Sequence, residues 1–337
     1  MRVFLVGASG AIGARLVPQL LDAGHQVLGT HTSPASSQYV RTLGATPVTL
    51  DVLDARAVRA AVLLAAPDVI VHQATALANA TFSRHFDRTF ATTNALRQQG
   101  TDNLLAAARE AGVSRFVAQS NATYRYARHG GMVKSEDDPL DTTPIRGAEA
   151  SRAAMNYLDD RVVAAGGMAL RNGIFYGGAN DGLVAPVLAR QFPVIGRGDG
   201  FLSFVHLEDA AAAVVCALEG YQPGVFNIVD DEPAPMRRWL PALASALGAT
   251  PPRQVPVWLA RLLAGDAAVV MATDHRAASN AKAKRALGWM PRHRSWREGF
   301  PAAYAPDLRV IDPAGRTPDG SVSRGAFGPS SGPVSWP

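Results

Sequence analysis

The stretch that decides the fold opens the chain: Arg2-Val-Phe-Leu-Val-Gly7-Ala-Ser-Gly10-Ala-Ile-Gly13-Ala-Arg-Leu-Val-Pro-Gln-Leu-Leu-Asp-Ala-Gly24. The apolar run Val3–Val6 predicts a buried strand, and the apolar spacing from Ile12 predicts a helix over Ile12–Ala23. Three glycines at three-residue spacing join them. The chemistry explains that spacing: the turn must be tight, the backbone must come close to a pyrophosphate, and the helix must pack closely on its strand. Amides at the start of the helix, with its dipole, hold phosphate charge. Gly7, Ser9, Gly10, Ala11, Ile12 and Gly13 are therefore the candidate dinucleotide cradle.

Outward from this unit the first half keeps one rhythm. Strand-like runs at Gln26–Gly29, Pro47–Leu50, Val69–His72 and Arg115–Gln119 alternate with helical patterns at Ser36–Leu43, Ala55–Ala65 and Thr101–Ala111. Repeated βαβ units with right-handed crossovers predict an α/β fold with a doubly wound parallel sheet of the Rossmann type. After Gln119 the rhythm loosens. Arg128–Gly147 reads as a long loop, followed by a helix over Ala150–Ala164, an apolar run Met168–Leu170 and turn-rich Asn172–Gly182. Phe201–His206 and Val225–Val229 are expected as late strands around a helix over Leu207–Leu218. Further helical pieces are expected at Pro235–Leu247 and Val257–Ala264. From 305 to 337 the chain is Pro-, Gly- and Ser-rich without periodicity and is expected to be disordered or loosely packed.

Composition narrows the class. Of 337 residues 47% are apolar and 18% charged, the balance of a globular protein with a sizeable core. No apolar run nears the ~20 residues that span a bilayer. Met1-Arg2 leads straight into a strand without a signal-type segment, and the single cysteine, Cys216, fits a reducing compartment. The expectation is a cytoplasmic protein without a membrane partner. The formal charge of +5 is spread along the chain with no basic, aromatic-interleaved run, which argues against nucleic acid as a partner and leaves a modest attraction for phosphorylated ligands. The eight histidines show no metal-ligand spacing, so no metal is expected. His206, in an apolar strand, reads as structural.

The cofactor's adenosine end would meet the end of the second strand. A carboxylate there would bind a ribose hydroxyl and repel a 2′-phosphate. This chain offers Gly29-Thr-His-Thr32-Ser33, with neither carboxylate nor arginine, so Thr32 and Ser33 favour NADP and leave NAD open.

The glycine motif and a series of later landmarks resemble the extended short-chain dehydrogenases, the NAD-dependent epimerase/dehydratase family. In order these are Asp51-Val52, Val71-His-Gln-Ala74, Asn94, Arg115-Phe-Val-Ala-Gln-Ser-Asn121, Leu170-Arg-Asn-Gly-Ile-Phe-Tyr-Gly177, Phe204-Val-His-Leu-Glu-Asp-Ala-Ala211 and Asn280-Ala-Lys-Ala-Lys-Arg-Ala-Leu-Gly-Trp289. They extend the resemblance over residues 1 to about 301. It implies that Asp51 and Val52 contact the adenine, that Gln73, Ala74 and Thr75 line the cofactor, and that Asn172 and Gly173 lie beside the nicotinamide. Asp51 has a second reading, as a cap for the helix starting near Asp54. The resemblance also implies a division into a nucleotide-binding domain over 1–172 and a smaller, mainly helical substrate-binding part over 173–304, with about 204–229 returning to the sheet.

The catalytic positions depart from the family. Its members pair a Ser or Thr after the fifth strand with a Tyr-x-x-x-Lys, whose lysine lowers the phenol pKa for acid–base work. That pair should fall near Glu149–Ser151 and Ala153–Met155, where neither residue occurs, and none of the seven tyrosines has a lysine four positions on. The Ser/Thr position aligns with Asn121. Tyr157-Leu-Asp-Asp-Arg161 keeps the spacing with arginine, while Tyr124 and Tyr126 follow the fifth strand into the cleft. Ser120, Asn121 and Tyr124 are the candidates to hold or protonate a substrate oxygen. The expected activity is NAD(P)-dependent hydride transfer to or from a carbonyl or alcohol carbon of a small molecule, in a possible homodimer. Two alternatives stand beside it: a non-redox epimerase, dehydratase or cyclase, and a cofactor-sensing protein without chemistry.

Overall fold

The computed structural model describes residues 1–77, 85–178 and 182–304. The 305–337 tail, and the expectation attached to it, lie outside the described residues. Seven parallel strands form the central sheet: β1 (Arg2–Val6), β2 (Gln26–His31), β3 (Thr46–Thr49), β4 (Val69–His72), β5 (Arg115–Asn121), β6 (Met168–Asn172) and β7 (Gly224–Ile228), in the order β7-β6-β5-β4-β1-β2-β3. This is the doubly wound Rossmann arrangement that the alternating pattern predicts.

Period-two alternation builds its two faces. Val3 and Leu5 point into one core, beneath α1 (Gly13–Asp22) and, later in the chain, Leu207–Glu219. Phe4 and Val6 point into the other, beneath α2 (Ala55–Ala65), α3 (Thr101–Glu110) and α4 (Glu149–Ala164). Every one of these four strand residues is fully buried. At about 1.5–3 kcal/mol per buried aliphatic or aromatic side chain, both faces contribute heavily to stability. Before α3 the chain makes a π-helical turn, Leu96–Gly100, which sequence periodicity does not announce.

The later elements differ in detail from expectation. Phe201–His206 is two short strands divided at Ser203: Phe201–Leu202 pairs antiparallel with Ala234–Pro235, and Phe204–His206 pairs parallel with Ile174–Tyr176. Gly224–Ile228 joins the sheet edge beside β6. The helix begun at Val257 runs on to Thr273 with a break at Gly265, whose φ of 84° is open to glycine. These segments enclose an aromatic core of Tyr124, Phe204, Trp239, Trp296 and Phe300.

Buried ionisable groups set the pH dependence of stability. His72 and His275 are each pushed down to about 4, first of all by burial. The unfolded chain therefore binds more protons than the folded one between pH 4 and 6.5. The stability these groups contribute, about 3 kcal/mol each, is complete above pH 6.5 and lost as the pH falls toward 4. Asp230 acts oppositely: burial pushes it up to about 8, so its contribution is lost as the pH rises toward 8. The two histidines, joined by His206, which burial likewise pushes down to about 4, outweigh the aspartate below pH 6.5, and the aspartate dominates above it. We expect the thermal midpoint to rise from pH 4.5 to 6.5 and to decline from there to pH 8. A flat midpoint between pH 4.5 and 6.5 by circular dichroism would contradict this assignment.

Candidate active site

The order of strands reverses between β1 and β4, and in open α/β sheets ligands bind at the carboxyl ends flanking such a point. The turn after β1 and the segment after β4 meet there. Gly7 has φ +86°, and a Cβ on it would lie 2.9 Å from the Ala74 amide nitrogen. The Gly7 N–H donates to the Thr30 hydroxyl at 3.1 Å, and the Gly10 N–H to the Gly7 carbonyl at 3.1 Å. At Gly13 a Cβ would lie 2.7 Å from the Ala8 carbonyl carbon, so only glycine lets α1 start this close to β1. Ile12 precedes α1 without a side-chain cap, while Ser9 is half-buried and Gly10 and Ala11 exposed.

Polar atoms collect around this point without partners. Gln73 is buried, with neither side-chain polar atom bonded to a described residue, and Ser120 Oγ, Asn94 Oδ1 and Asn172 Oδ1 are likewise buried and unpartnered among the described residues. Buried polar groups are ordinarily bonded to protein, ligand or ordered water. Ala74 is half-buried and Thr75 exposed beside Gln73. Gly173 follows β6, and a Cβ there would sit 2.6 Å from the Ser203 carbonyl oxygen. The glycine cradle and the orphaned Gln73 fit a dinucleotide.

At the far end of the cleft, Ser33 caps the helix Pro34–Thr42 by accepting from Ser36 N at 3.2 Å, and Thr32 is exposed. The His31 ring nitrogen Nε2 lies 3.4 Å from the Thr49 hydroxyl. Asp51 is exposed and one of its oxygens accepts from Leu53 N at 2.9 Å; Val52 is buried. The cap of α2 is Asp54, which accepts from Arg56 N and Ala57 N. Asp51 is thus not that cap.

Around β5 the candidates divide. Asn121 Oδ1 accepts from the backbone and hydroxyl of Thr123, which identifies the oxygen and leaves Nδ2 without a bond to any described residue. Tyr124 is employed differently from expectation. It is buried at φ +57°, its N–H donates to His275 Nε2 at 2.8 Å, and its hydroxyl donates to the Ala267 carbonyl at 3.0 Å. Burial pushes its phenol further above the ordinary range, the wrong direction for an acid at neutral pH. Its hydroxyl therefore ties β5 to the kinked helix. The Tyr126 hydroxyl donates to Asn227 Oδ1 at 2.6 Å, and that of Tyr157 to Asp102 on the protein surface. Where the family's phenol would stand, at the start of α4, Ser151 is buried and bonded to Asp87 and Asn94. Arg152 is turned to the Asp141 and Thr143 carbonyls.

Two groupings escape sequence reasoning. Asp159 Oδ2 accepts from both Arg125 and Arg171, the latter at 2.7 Å, and all three side chains are buried. Its members lie 12 and 34 residues from Asp159 in sequence, so no local pattern signals it. His206, Asp209 and His293 bring ligand-type atoms within 4.8 Å of one another. Yet the two rings stack at 3.7 Å, 25° from parallel, so their in-plane lone pairs do not converge. His206 caps its helix through Glu208 N, and Asp209 accepts from the backbone of Arg292 and His293. The trio clasps the helix Leu207–Glu219 to the chain after Trp289.

The fold and this site define a Rossmann-type NAD(P)-dependent oxidoreductase. More particularly, the chain belongs to the NAD dependent epimerase/dehydratase family, whose model matches residues 3–229. It is 42% identical over 314 residues to a 3-diazoavenalumate denitrifying reductase from a Streptomyces species, covering 89% of this chain and 99% of that one. It is 30% identical to a 4-hydroxy-2-methyl-3-oxo-4-farnesyl-3,4-dihydroquinoline-1-oxide ketoreductase from Stigmatella aurantiaca, over 74% of each chain. The fold is shared with UDP-glucose 4-epimerase from Thermus thermophilus in complex with NAD, at TM-score 0.68 and 24% identity, over 91% of this chain and all of that one. Among the described residues no helix is long and apolar enough to cross a membrane.

Proposed function

We propose that this protein is an NADPH-dependent reductase that receives its substrate over Asn121 and works without a phenol acid. The observation that carries this is the free Nδ2 of Asn121 at the end of β5, set against a Tyr124 hydroxyl already spent on Ala267. NADPH rather than NADH is favoured by the carboxylate-free end of β2, where Thr32 and Ser33 offer hydroxyls. A bound nicotinamide would supply the hydride at its C4. Gly7, Ser9, Gly10, Ala11, Ile12 and Gly13 would hold the pyrophosphate, Gln73, Ala74 and Thr75 the middle, Asp51 and Val52 the adenine, and Asn172 and Gly173 the nicotinamide end. The substrate-binding part would come from 173–304.

For a carbonyl acceptor, Asn121 Nδ2 holds the oxygen and stabilises the negative charge it gains, and water then delivers the proton. A diazonium carbon is the second acceptor, favoured by the 42% identical relative named for a denitrifying reduction of a diazo compound. There the hydride joins carbon while the carbon–nitrogen bond breaks with its electrons leaving on dinitrogen. No oxygen has to be protonated, so the missing phenol costs that reaction nothing.

Asn121→Ala is expected to lower kcat/KM for a carbonyl substrate roughly 10²-fold, as loss of one oxyanion donor does, with NADPH affinity unchanged. Tyr124→Phe is expected to keep kcat within about threefold while lowering stability by about 1–3 kcal/mol, since the Ala267 carbonyl loses its donor. NADPH consumption with aryl diazonium and carbonyl panels, alongside NADPH titration, checks both. Wild-type turnover by Asn121→Ala, or a collapse of kcat in a folded Tyr124→Phe, would overturn the assignment.

A further inference from the structure

The π-helical turn Leu96–Gly100 lies against the cofactor side of the cleft. Just before it, Thr93 accepts from Ala76 N at 3.1 Å, next to the Gln73–Thr75 segment, and Asn94 donates to Ser151 at the start of α4. Within it, the Leu96 carbonyl lies 3.3 Å from His72 Nε2 at the end of β4. Arg97 is thus held where β4, β5 and α4 meet.

No described residue pairs with its charge. Arg97 is 7% exposed, and its guanidinium makes no hydrogen bond or ion pair with any described residue. The charges acting on it are Arg125, which repels it, and Asp159, which attracts it. Asp159, however, already serves Arg125 and Arg171. The further acids reached by these arginines are Asp160, which acts on Arg125, and Glu136, which faces Arg171 and is itself driven toward its neutral form by burial. Beside Arg97, Arg125 Nε and Nη1 are buried without partners, and Ser120, in register with Arg171 on the sheet, has a free hydroxyl. A buried arginine whose carboxylate is missing is a costly arrangement unless an anion completes it. Arginine's planar fork matches a carboxylate in particular.

We propose that Arg97 receives a carboxylate of the substrate, which makes the substrate class a small organic acid reduced at a carbon held over Asn121. The substrate identity rests on the reductase reading above, whereas the anion site does not. The site would orient the acid by its charged end and leave the acceptor carbon at the Asn121 amide.

Two measurements separate the parts. The first uses the cofactor-free protein with benzoate or its neutral counterpart benzamide at constant ionic strength, followed by thermal unfolding. Benzoate should raise the midpoint of the wild type, and benzamide should not. Arg97→Met should abolish the benzoate effect and raise the ligand-free midpoint, because an uncompensated charge is removed; Arg97→Lys should keep a weakened benzoate response. A fall in midpoint for Arg97→Met with the benzoate response intact would mark a structural arginine and overturn the site. So would a tenfold loss of NADPH affinity in a folded variant, since Arg97 would then serve the cofactor. The second is the KM for an organic acid substrate against its amide, expected to rise at least tenfold for the acid alone in Arg97→Met with kcat within threefold. Equal losses for acid and amide would overturn the substrate class while the benzoate result still judged the site. Absence of any reduction beside a positive benzoate result would count against the reductase reading alone.

Discussion

Replacing Gly13 by alanine is expected to weaken NAD(P)H binding about 100-fold or more and to cost about 1–3 kcal/mol of stability. The added methyl would meet the Ala8 carbonyl carbon and oxygen at 2.7 Å and would press on the Gly7 carbonyl. These are backbone atoms of the turn itself, so relief requires α1 to move off β1 and takes its N-terminal amides away from the phosphates. Gly10→Ala separates binding from folding. The nearest atom to its Cβ is the Gly7 carbonyl oxygen at 3.3 Å, a contact the loop can relieve with a small shift. Gly10 is exposed on the side where a pyrophosphate would approach. Its alanine variant should unfold at the wild-type urea midpoint while losing roughly tenfold in NAD(P)H affinity. Wild-type affinity in Gly10→Ala, by fluorescence titration, would remove the phosphates from this turn.

Asp159→Asn carries the second large effect, a loss of about 3–5 kcal/mol and on the order of 10 °C in the thermal midpoint. The carboxylate is 2% exposed and one of its oxygens neutralises two arginines. Its removal leaves Arg125 and Arg171 charged among buried groups, with Arg97 adding repulsion. Once the Asp159 carboxylate is gone, Arg97 keeps only its repulsion by Arg125, so Arg97→Met should recover part of the loss when combined with Asp159→Asn. Non-additivity of that kind is what a double-mutant cycle measures between coupled groups. An Asp159→Asn protein within 1 kcal/mol of the wild type in urea unfolding would show that water reaches and solvates the cluster.

Legibility followed distance along the chain. The strand at Val69–His72 and the helix at Ala55–Ala65 fall at the predicted residues because their apolar spacing is local and their burial on a parallel sheet is uniform. The single run Phe201–His206 became two strands because two different partners pull on its halves, which no periodicity within the run encodes. In the site, the glycine turn was fully legible, since each glycine answers to a close approach within the same loop or to Ala74 beside it. Tyr124 was not. Its place after β5 suggested a cleft phenol, but His275 and Ala267, 151 and 143 residues away, fix its backbone and hydroxyl.

By itself, then, the sequence determined the alternating parallel sheet, the tight glycine turn between β1 and α1 and the family, all of which rest on short-range spacing. Only the tertiary structure decided which polar groups at the cleft remain free. That is a matter of which distant side chains reach them first. Asn121 keeps its amide nitrogen because Thr123 takes only the oxygen, the Tyr124 hydroxyl is committed as a donor to a carbonyl across the core, and Arg97 has no carboxylate partner among the described residues because Asp159 is shared by two other arginines.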